Sequence, residues 1–177
     1  MNNSQKLIII YIGTGKGKTT AAFGLAARCL GHGGKVCICQ FIKSNLKTGE
    51  MLFFNKMDNT EIYALGAGFV YDVSTEAELR EHRTMAQDGL DLMRGKIMSG
   101  LYDIVIADEI LDALEMGFVK TEDIIDILDN VPQSTSIVLT GRKAPLELID
   151  KADTVTEMVE VKHHFQKGIK AVKGIEF

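Results

Sequence analysis

Apolar residues in this chain follow two patterns. Apolar runs at residues 7–12, 36–41 and 102–107, the first unbroken and the other two interrupted only by Gln40 and Asp103, lack the polar alternation of a half-exposed strand, so they predict strands covered on both faces. Residues 61–65, 136–140 and 154–159 are further strand candidates. Between the strands the period changes. Across residues 75–98, Leu79, His82, Met85 or Ala86, Leu90, Met93 and Ile97 recur at three- and four-residue steps with charges between them, which predicts an amphipathic helix. Residues 21–27 have helical composition and end near Gly31-His32-Gly33-Gly34, and further helices are predicted at 110–116, 121–128 and 146–152.

Strands alternating with helices predict a mainly parallel sheet with a helical layer on each face. Right-handed crossovers make this a doubly wound, three-layer α/β domain. No repeat, low-complexity tract or boundary divides the chain, so residues 1–177 read as one domain. The tail, residues 162–177, is rich in Lys and Gly and receives no predicted element.

Composition narrows the function classes. A hydrophobic share of 46%, 25% charged residues and two prolines describe a soluble globular chain. The formal net charge of −4 gives no general attraction to nucleic acid or anionic membrane, so any phosphate must be bound locally. Cys29, Cys37 and Cys39 match no disulfide framework or zinc spacing and read as buried apolar side chains. No signal peptide or membrane span is expected, which makes a reducing cytoplasm the default.

The candidate chemistry starts where the first strand ends. Gly13-Thr14-Gly15-Lys16-Gly17-Lys18-Thr19-Thr20 resembles a phosphate-binding loop, but the usual spacing needs a glycine at position 12, which is Ile. Such glycines let successive N–H groups face one anion at the positive end of the following helix. Lys18 adds an ammonium, and Thr19 a hydroxyl suited to Mg²⁺. Asp108 and Glu109 close the strand at 102–107, at the sheet edge where ligands sit in such folds. They suit a metal opposite the loop, although acids also favour the first turn of a helix. Arg142, in Leu139-Thr140-Gly141-Arg142, reads equally as a phosphate contact or a surface ion pair. His32 and His82 read as structural, and the pair His163-His164 lacks cysteine or carboxylate partners at ligand spacing, which favours a non-metal role.

Six blocks together resemble one family, the P-loop type of ATP:cob(I)alamin, or corrinoid, adenosyltransferases. They are residues 13–24; Gln40-Phe41-Ile42-Lys43; Gly66-Ala67-Gly68-Phe69; Asp108-Glu109; Leu139-Thr140-Gly141-Arg142; and the closing stretch from Ala152 to Phe177. The resemblance implies a P-loop NTPase-like (RecA-like) fold in which the shortened loop holds ATP in reversed sense, with the γ-phosphate where hydrolases place the α-phosphate. It implies attack by cobalt(I) of a reduced corrinoid on the ribose 5′ carbon, with triphosphate as the leaving group. Residues 13–20 and Arg142 would hold the phosphates, with Lys18 catalytic, and Thr19, Glu109 and Asp108 would hold Mg²⁺ or Mn²⁺. Phe69 and Tyr71 correspond to two aromatics that displace the lower cobalt ligand, Tyr71 standing where Trp is usual. Implied partners are ATP, a corrinoid (cobalamin, cobinamide or cobyrinic acid a,c-diamide), an electron donor such as a flavoprotein, and a second copy of the chain. The rival readings are a P-loop ATPase or small-molecule kinase and a non-catalytic carrier of nucleotide or corrinoid.

Overall fold

Alternate residues of the central strands feed two cores on opposite faces of one sheet. The computed structural model describes residues 5–43, 48–68 and 75–176. Its strands are β1 (Ile8–Ile12), β2 (Val36–Gln40), β3 (Thr60–Ala64), β4 (Ile104–Asp108), β5 (Ser136–Thr140) and β6 (Thr154–Glu157), in the order β3-β2-β4-β5-β1-β6. Every neighbouring pair is parallel. The helices are α1 (Lys18–Gly31), α2 (Gly49–Phe54), α3 (Glu76–Met98), α4 (Ile110–Glu115), α5 (Thr121–Asp129) and α6 (Leu146–Lys151).

Ile8, Ile10, Cys37, Cys39, Val105, Ala107, Ile137 and Leu139 face one core, which α3 closes with Ala86, Leu90, Met93 and Ile97. Val36, Ile38, Ile106 and Val138 face the other, under Ala22, Phe23 and Ala26 of α1 and Met51 and Phe54 of α2. Side chains alternate across a strand, so burial on both faces removes most polar positions and produces the near-continuous apolar runs. Both strand cysteines are fully buried and Cys29 is half-buried, all as free thiols.

The start of α3 is fixed by a reciprocal cap. The Thr75 hydroxyl accepts from the Glu78 N–H at 3.3 Å, and the Glu78 carboxylate accepts from the Thr75 N–H at 3.0 Å. His82 is buried and stacks on Phe118, as a structural histidine does, whereas Leu79 is exposed despite its helical spacing. Two elements differ from expectation. Helix α2 carries no clear periodicity in six residues, and β6 is an edge strand exposed along its whole length, ending at Glu157 instead of residue 159.

Candidate active site

The carboxyl ends of all six strands meet at one edge, and each delivers a piece of the site. Strand β1 turns through Gly13 and Gly17, at φ 111° and 117°, into α1, with Gly17 capping the helix. An L side chain rarely adopts either angle, so glycine is needed here for backbone reasons alone. Close approach adds a second reason at Gly13, because a Cβ there would lie 2.3 Å from the Met158 carbonyl oxygen.

That contact reflects how the loop is braced. The Gly13 N–H donates to the Arg142 carbonyl at 3.0 Å and the Gly15 N–H to the Met158 carbonyl at 2.7 Å. These two groups therefore face protein carbonyls, while the first-turn donors of α1 have no helical acceptor by position and are the ones oriented for an anion. Lys18 Nζ bridges the Gly13 and Gly15 carbonyls at 2.7 and 2.9 Å, held across the loop. Burial pulls its pKa below the ordinary lysine value, with Arg142 adding to that effect and the carboxylates of Asp112, Asp108 and Glu109 opposing it. Thr14 and Thr20 are exposed on the rim, and Lys16 turns to the tail, donating to the Ile175 carbonyl at 2.9 Å and pairing with Glu176.

Asp108 lies under this loop and is fully buried. Its Oδ1 accepts from the hydroxyls of Thr19 at 2.9 Å and Thr140 at 2.8 Å, and its Oδ2 from Gln40 Nε2 at 2.8 Å. Parallel pairing places Gln40 beside Asp108, so the register itself sets up the last contact. Thr140 also accepts the Glu109 N–H at 2.8 Å. Glu109 adopts a left-handed backbone, φ 62°, at the cap of α4, where two consecutive acids turn toward the loop. Lys43 stands between them, 3.3 Å from Glu109 and 3.7 Å from Asp108.

Burial pushes the Glu109 carboxyl up to about 7, Lys43 opposing and Asp108 reinforcing the shift. Burial would lower Lys43, but the two carboxylates outweigh it and raise its pKa. Glu109 Oε2 is buried without a hydrogen-bond partner. An unsatisfied carboxylate oxygen beside a second carboxylate and a threonine hydroxyl is a hard oxygen donor set, and these residues fit Mg²⁺.

Arg142 is exposed, its N–H donating to Asp112 at 3.0 Å and its charge within reach of Lys18. The segment leading to Phe69 reaches the same edge, with the Gly68 N–H on the Ile42 carbonyl at 3.2 Å. Phe69 and Tyr71 lie outside the described residues. Sequence reasoning missed Gln40, Lys43 and Thr140 as partners of the acids. The one available signal was a polar Gln closing an otherwise apolar strand.

A parallel sheet whose first strand enters a helix through a glycine turn, with a buried acid on a neighbouring strand end under that turn, defines a P-loop nucleotide-binding protein. Residues 4–177 match the family described as ATP:corrinoid adenosyltransferase BtuR/CobO/CobP, and the chain belongs to it. It is 36% identical over 176 residues to a corrinoid adenosyltransferase of Pseudomonas aeruginosa, covering 99% of this chain and 85% of that one. It is 34% identical over 172 residues to corrinoid adenosyltransferase CobA of Salmonella typhimurium, covering 97% and 85%. The corrinoid adenosyltransferase of Escherichia coli K12 is 33% identical over 176 residues, covering 99% and 87%.

Proposed function

We propose that the strand-end edge described above is where this chain carries out the reaction of its family, the ATP-dependent adenosylation of a corrinoid. The glycine loop, Lys18 and Arg142 hold the triphosphate, and Thr19, Asp108 and Glu109 hold Mg²⁺ or Mn²⁺. The observation that carries this reading is the direct Thr19–Asp108 hydrogen bond, which brings the loop's hydroxyl and the buried acid together as oxygen donors that would hold the ion.

The reaction needs no activated water. Cobalt(I) of the reduced corrinoid forms a bond to the ribose 5′ carbon, the C5′–O bond breaks, and its electron pair leaves with the triphosphate. The protein's task is to present C5′ and to stabilise the charge on the departing oxygen. Bound Mg²⁺ supplies part of that neutralisation. Lys18 supplies another part, and its present acceptors are weak enough competitors to yield to phosphate oxygens. Phe69 and Tyr71 are assigned to the lower face of the corrinoid, where they favour the four-coordinate cobalt that a donor such as a flavoprotein reduces. Their support is the resemblance together with the position of Gly68 at this edge. By the same resemblance the protein works as a cytoplasmic homodimer. No helix among the described residues is long and apolar enough to cross a membrane.

Incubation with ATP, Mg²⁺ and chemically reduced cobalamin tests the reading. The expected products are adenosylated corrinoid and free triphosphate, both lost in Lys18→Ala. ADP and phosphate formed without corrinoid dependence would instead mark an ATPase, and stoichiometric retention without turnover a carrier.

A further inference from the structure

The fold gives the histidine pair the third ligand that its surroundings in sequence lack. His163 and His164 sit at the start of the short 3-10 turn His164–Lys167 with their rings stacked at 4.4 Å. The end of the tail returns to them, so that His164 Nε2 lies 3.7 Å from Glu176 Oε1. One ligand atom from each of His163, His164 and Glu176 falls within 4.8 Å of the others, and all three residues are half-buried and open to solvent. We propose that these three residues form a transition-metal site, of zinc type, separate from the Mg²⁺ site.

The donor chemistry supports the choice of ion. Two imidazoles and one carboxylate suit Zn²⁺ and its late first-row neighbours, and they discriminate against Mg²⁺, which prefers oxygen donors. Bonds of about 2.0–2.2 Å require ligand atoms roughly 3.3 Å apart in a tetrahedral site, so groups within 4.8 Å of one another need to close by at most about 1.5 Å. Two contacts compete for the ligand atoms: a 3.2 Å hydrogen bond from the Phe165 N–H to His163 Nδ1, and the Lys16 ammonium on Glu176 Oε1. A carboxylate has a second oxygen, so Lys16 and the ion can share Glu176. Three protein ligands leave a fourth position for water.

The site is also wired to the glycine loop. Glu176 pairs with Lys16, and Lys16 donates to the Ile175 carbonyl at 2.9 Å. A bound ion therefore fastens the end of the tail to its beginning and, through Lys16, against the phosphate-binding turn. The proposal does not depend on the role assigned to that turn.

Zn²⁺ titration of the full chain by calorimetry, in saturating Mg²⁺, tests it directly. One equivalent is expected to bind, and His164→Ala and Glu176→Gln should each weaken it at least about tenfold, while Cys29→Ala leaves it unchanged. Co²⁺ at the site should show visible ligand-field bands with no thiolate charge-transfer band. Absence of Zn²⁺ binding, binding undiminished in both variants, or a thiolate band removed by Cys29→Ala would each overturn the proposal. Thermal melts in EDTA check that both variants remain folded, as expected for residues that lie outside both cores.

Discussion

Lys43 Nζ lies 3.3 Å from Glu109 Oε1, so among the described residues the cation nearest the paired acids is one the protein carries itself. Without it, Glu109 and the buried Asp108 would keep only the more distant charge of Lys18 against their mutual repulsion, and like charges in a poorly solvated site are costly. Lys43→Met is therefore expected to lower stability by roughly 1–3 kcal/mol in the absence of divalent ions. Mg²⁺ should then raise the melting temperature of the variant more than that of wild type. Urea unfolding with and without Mg²⁺ reads both effects, and equal stability of the two proteins in EDTA would refute the assigned role.

Thr140 performs two tasks with one hydroxyl, donating to Asp108 and accepting from the Glu109 N–H. Thr140→Val keeps the shape and removes both bonds, leaving a buried carboxylate oxygen and an amide short of partners. The expected cost is about 1–3 kcal/mol in unfolding free energy. Catalysis should also fall, because the acid that holds Thr19 loses one of its anchors. Thr140→Ser, which retains the hydroxyl, should recover most of the catalytic loss, a rescue that a purely packing role would not produce.

The sheet was legible because parallel strands buried on both faces leave a strong one-dimensional signal, and because Ile12 runs directly into the glycine turn. The acids were legible for a related reason: in Ile-Val-Ile-Ala-Asp-Glu the polarity changes abruptly at the strand end. Their partners were not. Gln40 and Lys43 reach Asp108 only through the pairing of β2 with β4, a register that no local pattern encodes. The bracing of the loop by Met158 was equally hidden, since it arises from β6 lying beside β1. The tail gave no periodicity because its residues are mostly exposed and are held by side-chain contacts to the loop rather than by a buried face.

Away from the site, Glu61 accepts from Lys96 Nζ at 2.6 Å and from the Tyr63 hydroxyl at 2.7 Å. The lysine contact first, then the tyrosines, holds its carboxyl down to about 2. A depressed carboxylate contributes stability that is fully present above its unfolded pKa and is lost as pH falls through the folded value. The relevant window therefore runs from the ordinary glutamate range of 4.5 down to about 2. Glu61→Gln should show a smaller fall in urea midpoint than wild type between about pH 5 and about pH 3. The side chain is one-third exposed, so the effect should shrink in high salt. Parallel pH profiles for the two proteins would count against this ion pair as a source of acid sensitivity.

Gly13 and Gly24 are eleven residues apart in sequence, yet the same substitution should act in opposite directions at the two positions. At Gly24, in the exposed middle of α1, an added Cβ meets nothing within 4 Å. Alanine there loses less backbone freedom on folding than glycine, so Gly24→Ala should stabilise the protein by about 0.5–1 kcal/mol. At Gly13 the backbone sits at φ 111°, and the new Cβ would fall 2.3 Å from the Met158 carbonyl oxygen, 2.8 Å from its nitrogen and 2.9 Å from its carbonyl carbon. All three are main-chain atoms, so no side-chain rotation relieves the overlap. Either the turn or the segment after β6 must move, and both are tied to the loop through the Gly15–Met158 hydrogen bond. Gly13→Ala should therefore destabilise the fold by about 1–3 kcal/mol and weaken ATP binding. Melting curves and nucleotide titration of the two variants side by side separate the terms. If Gly13→Ala lost ATP affinity with no change in melting temperature, its effect would lie in the phosphate cradle itself and not in the contact with Met158.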